Sequence, residues 1–144
     1  MLFGGLRLGQ SKCKCKSGHK VASWSERTID DLLYEAGYQT IYEPEVPTPK
    51  GNFKADWLIL PQNGLDKPVI IEYWGLLRTT NRARWVESRL PKYKARMKYK
   101  ESIYRLLDAY YYVPIYPEDL ERCLEDSILS KLKNLSSKKY EHIV

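Results

Sequence analysis

The sequence predicts a mixed α/β domain in which a four-stranded sheet packs between helices. Short apolar runs rich in β-branched and aromatic residues alternate with longer stretches of helical periodicity. Their order along the chain is helix, three strands, helix, strand, helix. The 144 residues, 43% of them hydrophobic, suffice for one core and are too apolar for a disordered chain.

The first helix is marked by a capping box. Ser23 is expected at the N-cap and Glu26 three residues later, the spacing at which the two residues satisfy the first free amides of a helix. Gly37 is expected to end the helix. The apolar face recurs at helical spacing and comprises Ile29, Leu32, Leu33 and Ala36.

Three strands are expected next. They cover residues 38–42, 53–60 and 69–75. Three prolines in residues 43–49 should stop regular pairing, because proline lacks an amide donor. Residues 50–52 have the composition of a hairpin tip, and residues 61–68 that of a loop between the second and third strands.

The second half of the chain predicts a helix, a strand and a last helix. The long helix should cover residues 82–109, with a break near Pro91. The strand at residues 110–116 returns across this helix, so it should pair in parallel with its neighbour. The last helix should open at Pro117 and run to Leu135, and residues 136–144 should form a frayed tail.

The predicted domain covers residues 21–135 and follows a basic, flexible arm over residues 1–20. The arm holds five basic residues and no acidic ones. Cys13, Cys15 and His19 could belong to a zinc site, but their spacing matches no common finger and Cys123 would have to supply a distant ligand. A bare arm is therefore the favoured interpretation. Three cysteines without a disulfide pattern fit a reducing compartment.

The positive charge is clustered. The net charge is +6, yet residues 78–105 alone hold ten basic and two acidic residues. Such clustering favours a polyanion partner, most commonly nucleic acid, and a solvated helix face is the alternative. No apolar run approaches the roughly 20 residues that cross a bilayer, and the first residues are too short for a secretory signal. We expect no membrane partner and an intracellular location, cytoplasmic or nucleoid-associated, or the host cell for a viral protein.

Asp56 and Glu72 each lie inside an apolar run that predicts a strand. Burying a carboxylate is costly. Two carboxylates on neighbouring strands are tolerated when a hard divalent cation lies between them. Exposure at a strand end, or an ion pair with a nearby base, is the alternative for either residue. Together they predict a metal site.

This order of elements, with Asp on the second strand and Glu on the third, resembles the core of the PD-(D/E)xK nuclease superfamily. The resemblance covers about residues 23–121 and implies a restriction-endonuclease-like αβββαβ core with a C-terminal helix. Asp56 matches the first half-motif, with Ala55 where the motif has proline, and Glu72 matches the second. The superfamily pattern then places a lysine where this chain has Trp74.

One branch of the superfamily carries that lysine on the following helix, after an apolar-Glu-aromatic-aromatic-Gly signature. Residues 70–76 are similar to this signature. The branch also has a tyrosine, arginine, lysine and tyrosine ladder, which is matched here by Tyr93, Arg96, Lys100 and Tyr104. Lys100 is thereby implied as the migrated lysine. Glu26 matches an acidic residue that the branch often has on its first helix, although the capping box alone also explains it.

The resemblance implies a Mg²⁺-dependent endonuclease that hydrolyses DNA phosphodiester bonds, with Glu26, Asp56, Glu72 and Lys100 as catalytic residues. Asp56, Glu72 and the main-chain carbonyl of Tyr73 would hold Mg²⁺ or Mn²⁺. Lys100 would position the hydroxide or offset negative charge in the transition state, and if it does not, Lys54 or Lys98 is the candidate replacement. Basic residues that could contact DNA phosphates, from the charge pattern, are Arg82, Arg84, Arg89, Lys92, Lys94, Arg96 and Lys98. A small nuclease that cuts both strands would work as a homodimer.

Two other functions stay open. Trp74 in place of lysine fits a DNA-binding module on a nuclease fold that has lost catalysis. A basic structural or adaptor protein without a metal is the third hypothesis, and it leaves the two strand carboxylates unexplained. Trp24 and Trp85 could stack on an unpaired base, although core packing is the simpler explanation for both.

Overall fold

The computed structural model describes residues 13–62, 64–78, 84–121 and 124–143, with only the main chain at residues 124, 125 and 136–143. The predicted roles of Arg82 and Cys123 lie outside the described residues. The chain divides into two compact units, Met1–Thr40 and Ile41–Val144. None of the helices in these described ranges has the length and hydropathy that crossing a bilayer requires.

The first unit holds a small hairpin and the first helix. The strands β1 (Cys13–Lys14) and β2 (Lys20–Val21) pair in antiparallel fashion, and α1 covers Trp24–Glu35. The predicted N-cap is confirmed, since the Glu26 amide donates to Ser23 Oγ over 3.1 Å. Helix α1 ends before Gly37, whose φ of 90° is the left-handed conformation that glycine adopts readily.

Over residues 13–20 the predicted flexible arm is replaced by this hairpin. Polar contacts rather than apolar periodicity hold it, and the sequence pattern therefore gave no signal. Ser17 Oγ donates to Asp30 Oδ1 over 2.5 Å, and the Lys16 amide donates to Asp31 Oδ1 over 2.8 Å. Cys15, the first residue of the turn, is buried. Residues 1–12 lie outside the described part of the chain.

The strands after α1 form a mixed sheet and a separate hairpin. In chain order they are β3 (Thr40–Tyr42), β4 (Glu45–Thr48), β5 (Gly51–Lys54), β6 (Trp57–Ile59), β7 (Val69–Tyr73) and β8 (Tyr111–Ile115). The mixed sheet has the order β3-β6-β7-β8. Strand β7 pairs antiparallel with β6 and parallel with β8, which confirms the predicted four-stranded mixed sheet and its helical crossover.

The expectation that prolines would stop pairing after β3 is wrong. Strands β4 and β5 form a two-stranded ribbon in which Pro47 lies opposite Asn52. A two-stranded ribbon leaves one edge of each strand unpaired, so a residue without an amide donor can be accommodated there. Thr48 lies opposite Gly51, which places the turn at Pro49 and Lys50, one residue earlier than predicted.

The long helix α2 covers Arg84–Tyr104 and continues through Pro91. The predicted break is therefore wrong, because the loss of one helical hydrogen bond at Pro91 is offset by burial of Val86 and Leu90 on the same helix. The helix ends five residues earlier than expected, where a tight turn carries the chain from Tyr104 to Leu107.

The C-terminal part is helical, as predicted. Helix α3 covers Pro117–Glu121 and α4 covers Leu124–Ile143, so the helical main chain continues through most of the segment that was expected to fray. The Tyr116 amide donates to Asp119 Oδ2 over 2.7 Å, which completes half a capping box at the start of α3. Lys131 Nζ of α4 donates to the same oxygen over 2.8 Å.

Asp119 makes a testable contribution to stability. Burial raises the pKa of its carboxyl, but hydrogen bonds from Lys131, Ser127 and the Tyr116 amide outweigh burial and hold the pKa below its usual value of 3.8. A depressed carboxyl pKa stabilises the fold above the unfolded value, and this contribution disappears as pH falls through the folded value. Asp119→Asn should therefore cost about 1–3 kcal/mol at pH 7. Urea titrations of both proteins should show the difference shrinking below pH 4; a constant difference would contradict the assignment.

Candidate functional site

Asp56 lies at a break between two strands rather than inside one. Strand β5 ends at Lys54, and β6 begins at Trp57. The Asp56 amide donates to Ile71 O over 3.2 Å, while Trp57 is the register partner of Ile71. Two residues against one is the pattern of a β-bulge, a feature that redirects a side chain. The bulge explains how an apolar run accommodates a carboxylate.

The bulge brings the Asp56 carboxylate to the end of β7. Asp56 Oδ2 accepts a hydrogen bond of 2.7 Å from the amide of Tyr73, the residue after Glu72. The negative charges of Asp56 and Glu72 both raise the pKa values of Tyr93 and Tyr104 on α2. The two carboxylates predicted to share a site thus act electrostatically on the same two phenols.

Glu72 is 4% exposed and is held by two side chains of α2. Its Oε2 lies 2.5 Å from Lys100 Nζ and accepts a hydrogen bond of 2.8 Å from the Tyr104 hydroxyl. Lys100 Nζ also donates to Lys54 O over 2.8 Å. The result is a buried ion pair with further hydrogen bonds on both partners, the arrangement that offsets the cost of desolvation.

Lys100 reaches this position because it belongs to the inner face of α2. The inner face recurs at helical spacing and comprises Val86, Leu90, Tyr93, Met97, Lys100 and Tyr104. Lys100 is only 7% exposed on an otherwise apolar and aromatic face. Three members of the predicted ladder, Tyr93, Lys100 and Tyr104, lie on this face and deliver a cation to the buried acid. The fourth, Arg96, is exposed on another side of the helix.

Trp74 occupies the position where the superfamily pattern has lysine, and its ring lies beside Lys100. The Lys100 ammonium is 5.9 Å from the indole centroid. Trp74 Nε1 donates to the Tyr112 hydroxyl over 2.9 Å, and this hydroxyl donates to Glu101 Oε2 over 2.5 Å. Burial, together with the bond to Glu101, raises the pKa of Tyr112. These hydrogen bonds could not be predicted from sequence, because their members come from three separate elements.

Gly75 allows the ring of Tyr73 to lie against the main chain. A Cβ atom at Gly75 would lie 2.7 Å from Cε2 of that ring, which is closer than a real contact. Either the ring or the chain would have to move if Gly75 were replaced. Because glycine has no Cβ atom, the Tyr73 ring can keep its position next to the hydrogen bond that Asp56 accepts.

The two tyrosines beside the acids stay protonated at neutral pH. Burial is the largest cause of the raised pKa of Tyr93, which is about 12, and Asp56 and Glu72 add to it. Burial and the hydrogen bond to Glu72 likewise raise the pKa of Tyr104. The ring of Tyr93 packs edge-on against Trp74 at 5.7 Å. Neither phenol adds charge to the site, and both keep a hydroxyl proton.

The candidate site supplies oxygen donors, the type of ligand that hard divalent cations prefer. Asp56 and Glu72 offer carboxylate oxygens, and Asp56 lies against the main chain of Tyr73, whose carbonyl was predicted as a third ligand. Mg²⁺ takes one or two carboxylates and completes its shell with water. Within the residues described, no further His, Cys, Asp or Glu joins them as a close group of three.

A second group of potential ligands lies in the first unit. Cys15, Asp30 and Asp31 place a sulfur and two carboxylate oxygens within 4.8 Å of one another. Asp30 is already engaged by Ser17 Oγ and lies 2.8 Å from His19 Nδ1. Burial, with Asp30 and Asp31, raises the pKa of the Cys15 thiol to about 12, so the sulfur is protonated. These contacts hold the hairpin to α1. A buried aspartate on the apolar face of α1 was the signal that could have revealed them.

Glu26 is positioned by the capping box. Ser23 Oγ donates to Glu26 Oε2 over 3.2 Å, in addition to accepting the Glu26 amide. Glu26 belongs to the first unit, whereas Asp56, Glu72 and Lys100 belong to the second. Its catalytic role therefore stays a prediction.

The predicted phosphate-binding residues that the structure describes are all exposed on α2. They are Arg84, Arg89, Lys92, Lys94, Arg96 and Lys98. The expectation that both tryptophans pack in the core is wrong, because Trp24 is 72% exposed and Trp85 is 51% exposed. Each carries an arginine over its ring, Arg27 at 5.1 Å and Arg89 at 5.6 Å.

Comparisons with known proteins add no assignment to this geometry. No protein-family model matches the chain, no curated protein matches it, and no solved structure matches it.

Proposed function

We propose that the protein is a Mg²⁺-dependent endonuclease that hydrolyses DNA phosphodiester bonds, on a restriction-endonuclease-like fold of the PD-(D/E)xK superfamily. One observation carries the proposal. Lys100 Nζ, from the helix after β7, lies 2.5 Å from Glu72 Oε2, and the Asp56 carboxylate binds the amide of the next residue, Tyr73. Two acids and a lysine are the groups that this chemistry needs.

The acids and the lysine have separable tasks in this proposal. Asp56, Glu72 and the Tyr73 carbonyl would hold the ion, which when bound lowers the pKa of water and offsets charge on the phosphate. Lys100 would donate to the attacking water or to a phosphate oxygen as negative charge develops there. Its ammonium is prepositioned by Lys54 O and by the rings of Trp74 and Tyr104.

The basic residues of α2 would bring the DNA backbone to this site. Their exposed guanidinium and ammonium groups suit phosphate contacts, which give affinity without sequence readout. Tyr104 would orient Glu72, since its hydroxyl donates to the Oε2 atom that also contacts Lys100. The hydrogen bonds from Trp74 to Tyr112 and from Tyr112 to Glu101 would fix the Trp74 ring, beside which Lys100 lies.

A catalytically inactive DNA-binding module is the second candidate. Trp74 stands where the superfamily pattern has lysine, and Lys100 already neutralises Glu72 through a direct ion pair. In that case the pair would serve stability alone. The basic face of α2 would still bind DNA.

Metal removal separates the two candidates. The protein should be incubated with supercoiled, linear, single-stranded and branched DNA, in Mg²⁺, in Mn²⁺ or in EDTA. We expect cleavage of at least one substrate with either ion, none in EDTA, and recovery when excess Mg²⁺ is added, because the ion supplies several kcal/mol of transition-state stabilisation. Gel shifts without cleavage in either ion would favour the inactive module, and cleavage that persists in EDTA would contradict the metal site.

A further inference from the structure

One face of α2 carries exposed aromatic residues together with basic ones. We call it the aromatic–basic stripe. It consists of Trp85, Arg89, Lys92, Arg96 and Tyr99. Steps of four, three, four and three residues keep all five on one side of the helix. Trp85 is 51% exposed and Tyr99 is 50% exposed, and the three basic residues between them are exposed as well.

The two rings are held at the ends of the stripe. The Arg89 guanidinium lies 5.6 Å from the Trp85 ring, and Phe53 of β5 lies 5.9 Å from Tyr99. The rings are 14 residues apart in the helix, which is roughly 21 Å at 1.5 Å per residue. The same helix buries Val86, Leu90 and Tyr104 on its inner face, so these two aromatics are exposed although α2 has a buried side.

The stripe runs beside the acidic site. The Phe53 ring lies 5.9 Å from the Tyr99 ring of the stripe and 5.9 Å from the Tyr104 ring, whose hydroxyl donates to Glu72. A strand lying along the stripe would therefore pass close to the groups proposed to cleave it. Cations would suit any nucleic acid, but exposed rings can stack only on bases whose faces are free. In a duplex those faces are covered by neighbouring base pairs.

We propose that the aromatic–basic stripe binds single-stranded DNA, with bases stacked on Trp85 and Tyr99 and phosphates on Arg89, Lys92 and Arg96. This alternation of rings and cations is the combination by which proteins hold single strands without sequence preference. The inference rests on the proposed function for the identity of the polymer. It adds the substrate class, an unpaired strand or an unpaired segment of a branched molecule.

Binding measured in EDTA tests the stripe without cleavage. Fluorescence anisotropy would follow a labelled oligothymidylate, an abasic oligomer of equal length that keeps the phosphates, and a duplex. Trp85→Ala should weaken oligothymidylate binding about ten-fold and leave the abasic oligomer nearly unchanged, because one base stack is lost. Trp85→Phe should retain most of the affinity. Tyr34→Ala is the matched control, since Tyr34 of α1 is also 51% exposed, and it should bind as the wild type does.

Each other outcome overturns the stripe. Unchanged affinity for oligothymidylate would show that Trp85 stacks on no base. Equal losses for oligothymidylate and the abasic oligomer, or duplex binding as tight as single-strand binding, would show that phosphate contacts alone hold the DNA. Melting curves of each variant show whether a loss of DNA affinity is caused by unfolding. This measurement involves no cleavage, so failure of the stripe can be told apart from failure of the nuclease proposal, which the cleavage assays in Mg²⁺, Mn²⁺ and EDTA test.

Discussion

Asp56→Ala should lower DNA cleavage by about a thousand-fold or more, because losing a carboxylate ligand removes several kcal/mol of metal-derived transition-state stabilisation. The change should act mainly on the rate constant for cleavage under single-turnover conditions. The affinity for DNA in EDTA should stay close to that of the wild type, because the exposed basic residues of α2 are unchanged.

Alanine also removes a structural hydrogen bond, since Asp56 Oδ2 accepts the Tyr73 amide over 2.7 Å. Leaving that amide without an acceptor costs about 1–3 kcal/mol. Asp56→Asn is therefore the sharper variant, because the amide oxygen can still accept from Tyr73 while the charge is gone. Without Mg²⁺, this variant should melt at nearly the same temperature as the wild type. Mg²⁺ should raise the melting temperature of the wild type but not that of the variant, and the variant should not cleave DNA.

Asp66→Asn is a matched control for both Asp56 variants. Asp66 lies in the loop before β7, where it accepts a hydrogen bond from the Tyr111 hydroxyl. It has no part in the proposed site, and this variant should cleave at the wild-type rate. Wild-type cleavage by Asp56→Asn would end the metal proposal for this pair of acids.

The parts of the fold that followed from sequence are those specified by local patterns. The capping box placed the start of α1, and the apolar runs placed β6, β7 and β8 in a mixed sheet. The single crossover helix then required β8 to be parallel to β7, whatever the side chains. Local periodicity and chain connectivity carry this information, and both are visible without coordinates.

The parts that could not be predicted depend on contacts between segments far apart in the chain. Asp30 of α1 holds the N-terminal hairpin through its side-chain contacts. No pattern within residues 13–21 predicts those contacts. The β4–β5 ribbon forms despite Pro47, because pairing requires donors on one edge only. The bulge at Asp56 depends on how β6 meets β7.

The resemblance to the nuclease superfamily, and not spacing alone, pointed to the ladder at positions 93, 96, 100 and 104. Of these residues, the structure brings Lys100 and Tyr104 to Glu72. The Trp74–Tyr112–Glu101 chain joins β8, α2 and the residue after β7, so no periodicity within one element could reveal it. The exposure of Trp85 was missed for the opposite reason, since large aromatic residues are usually buried.

Lys100→Met should have two effects that can be measured separately. Cleavage should fall about a hundred-fold or more, comparable to removing one preorganised donor from a developing oxyanion. The fold should lose about 3–5 kcal/mol in the absence of divalent ions, because Glu72 is left as an unpaired buried charge. That loss corresponds to a melting temperature lower by roughly 10–17 °C for a domain of this size.

The double variant Glu72→Gln with Lys100→Met separates stability from catalysis. Removing both charges eliminates the buried unpaired carboxylate, so the melting temperature should recover most of the loss seen in Lys100→Met alone. Cleavage should not recover, because a metal ligand and the lysine are both missing. Mg²⁺ should also raise the melting temperature of Lys100→Met more than that of the wild type, since the ion can neutralise the Glu72 that Lys100 no longer pairs.

Lys50→Met supplies the matched control, because Lys50 is an exposed lysine in the turn between β4 and β5 and has no part in the proposed site. It should melt and cleave as the wild type does. If Lys100→Met lost stability but cleaved at the normal rate, the ion pair would be structural and the catalytic cation would have to be Lys54 or Lys98. Cleavage at the normal rate would still exclude the inactive module, and the buried pair would then contribute to stability alone.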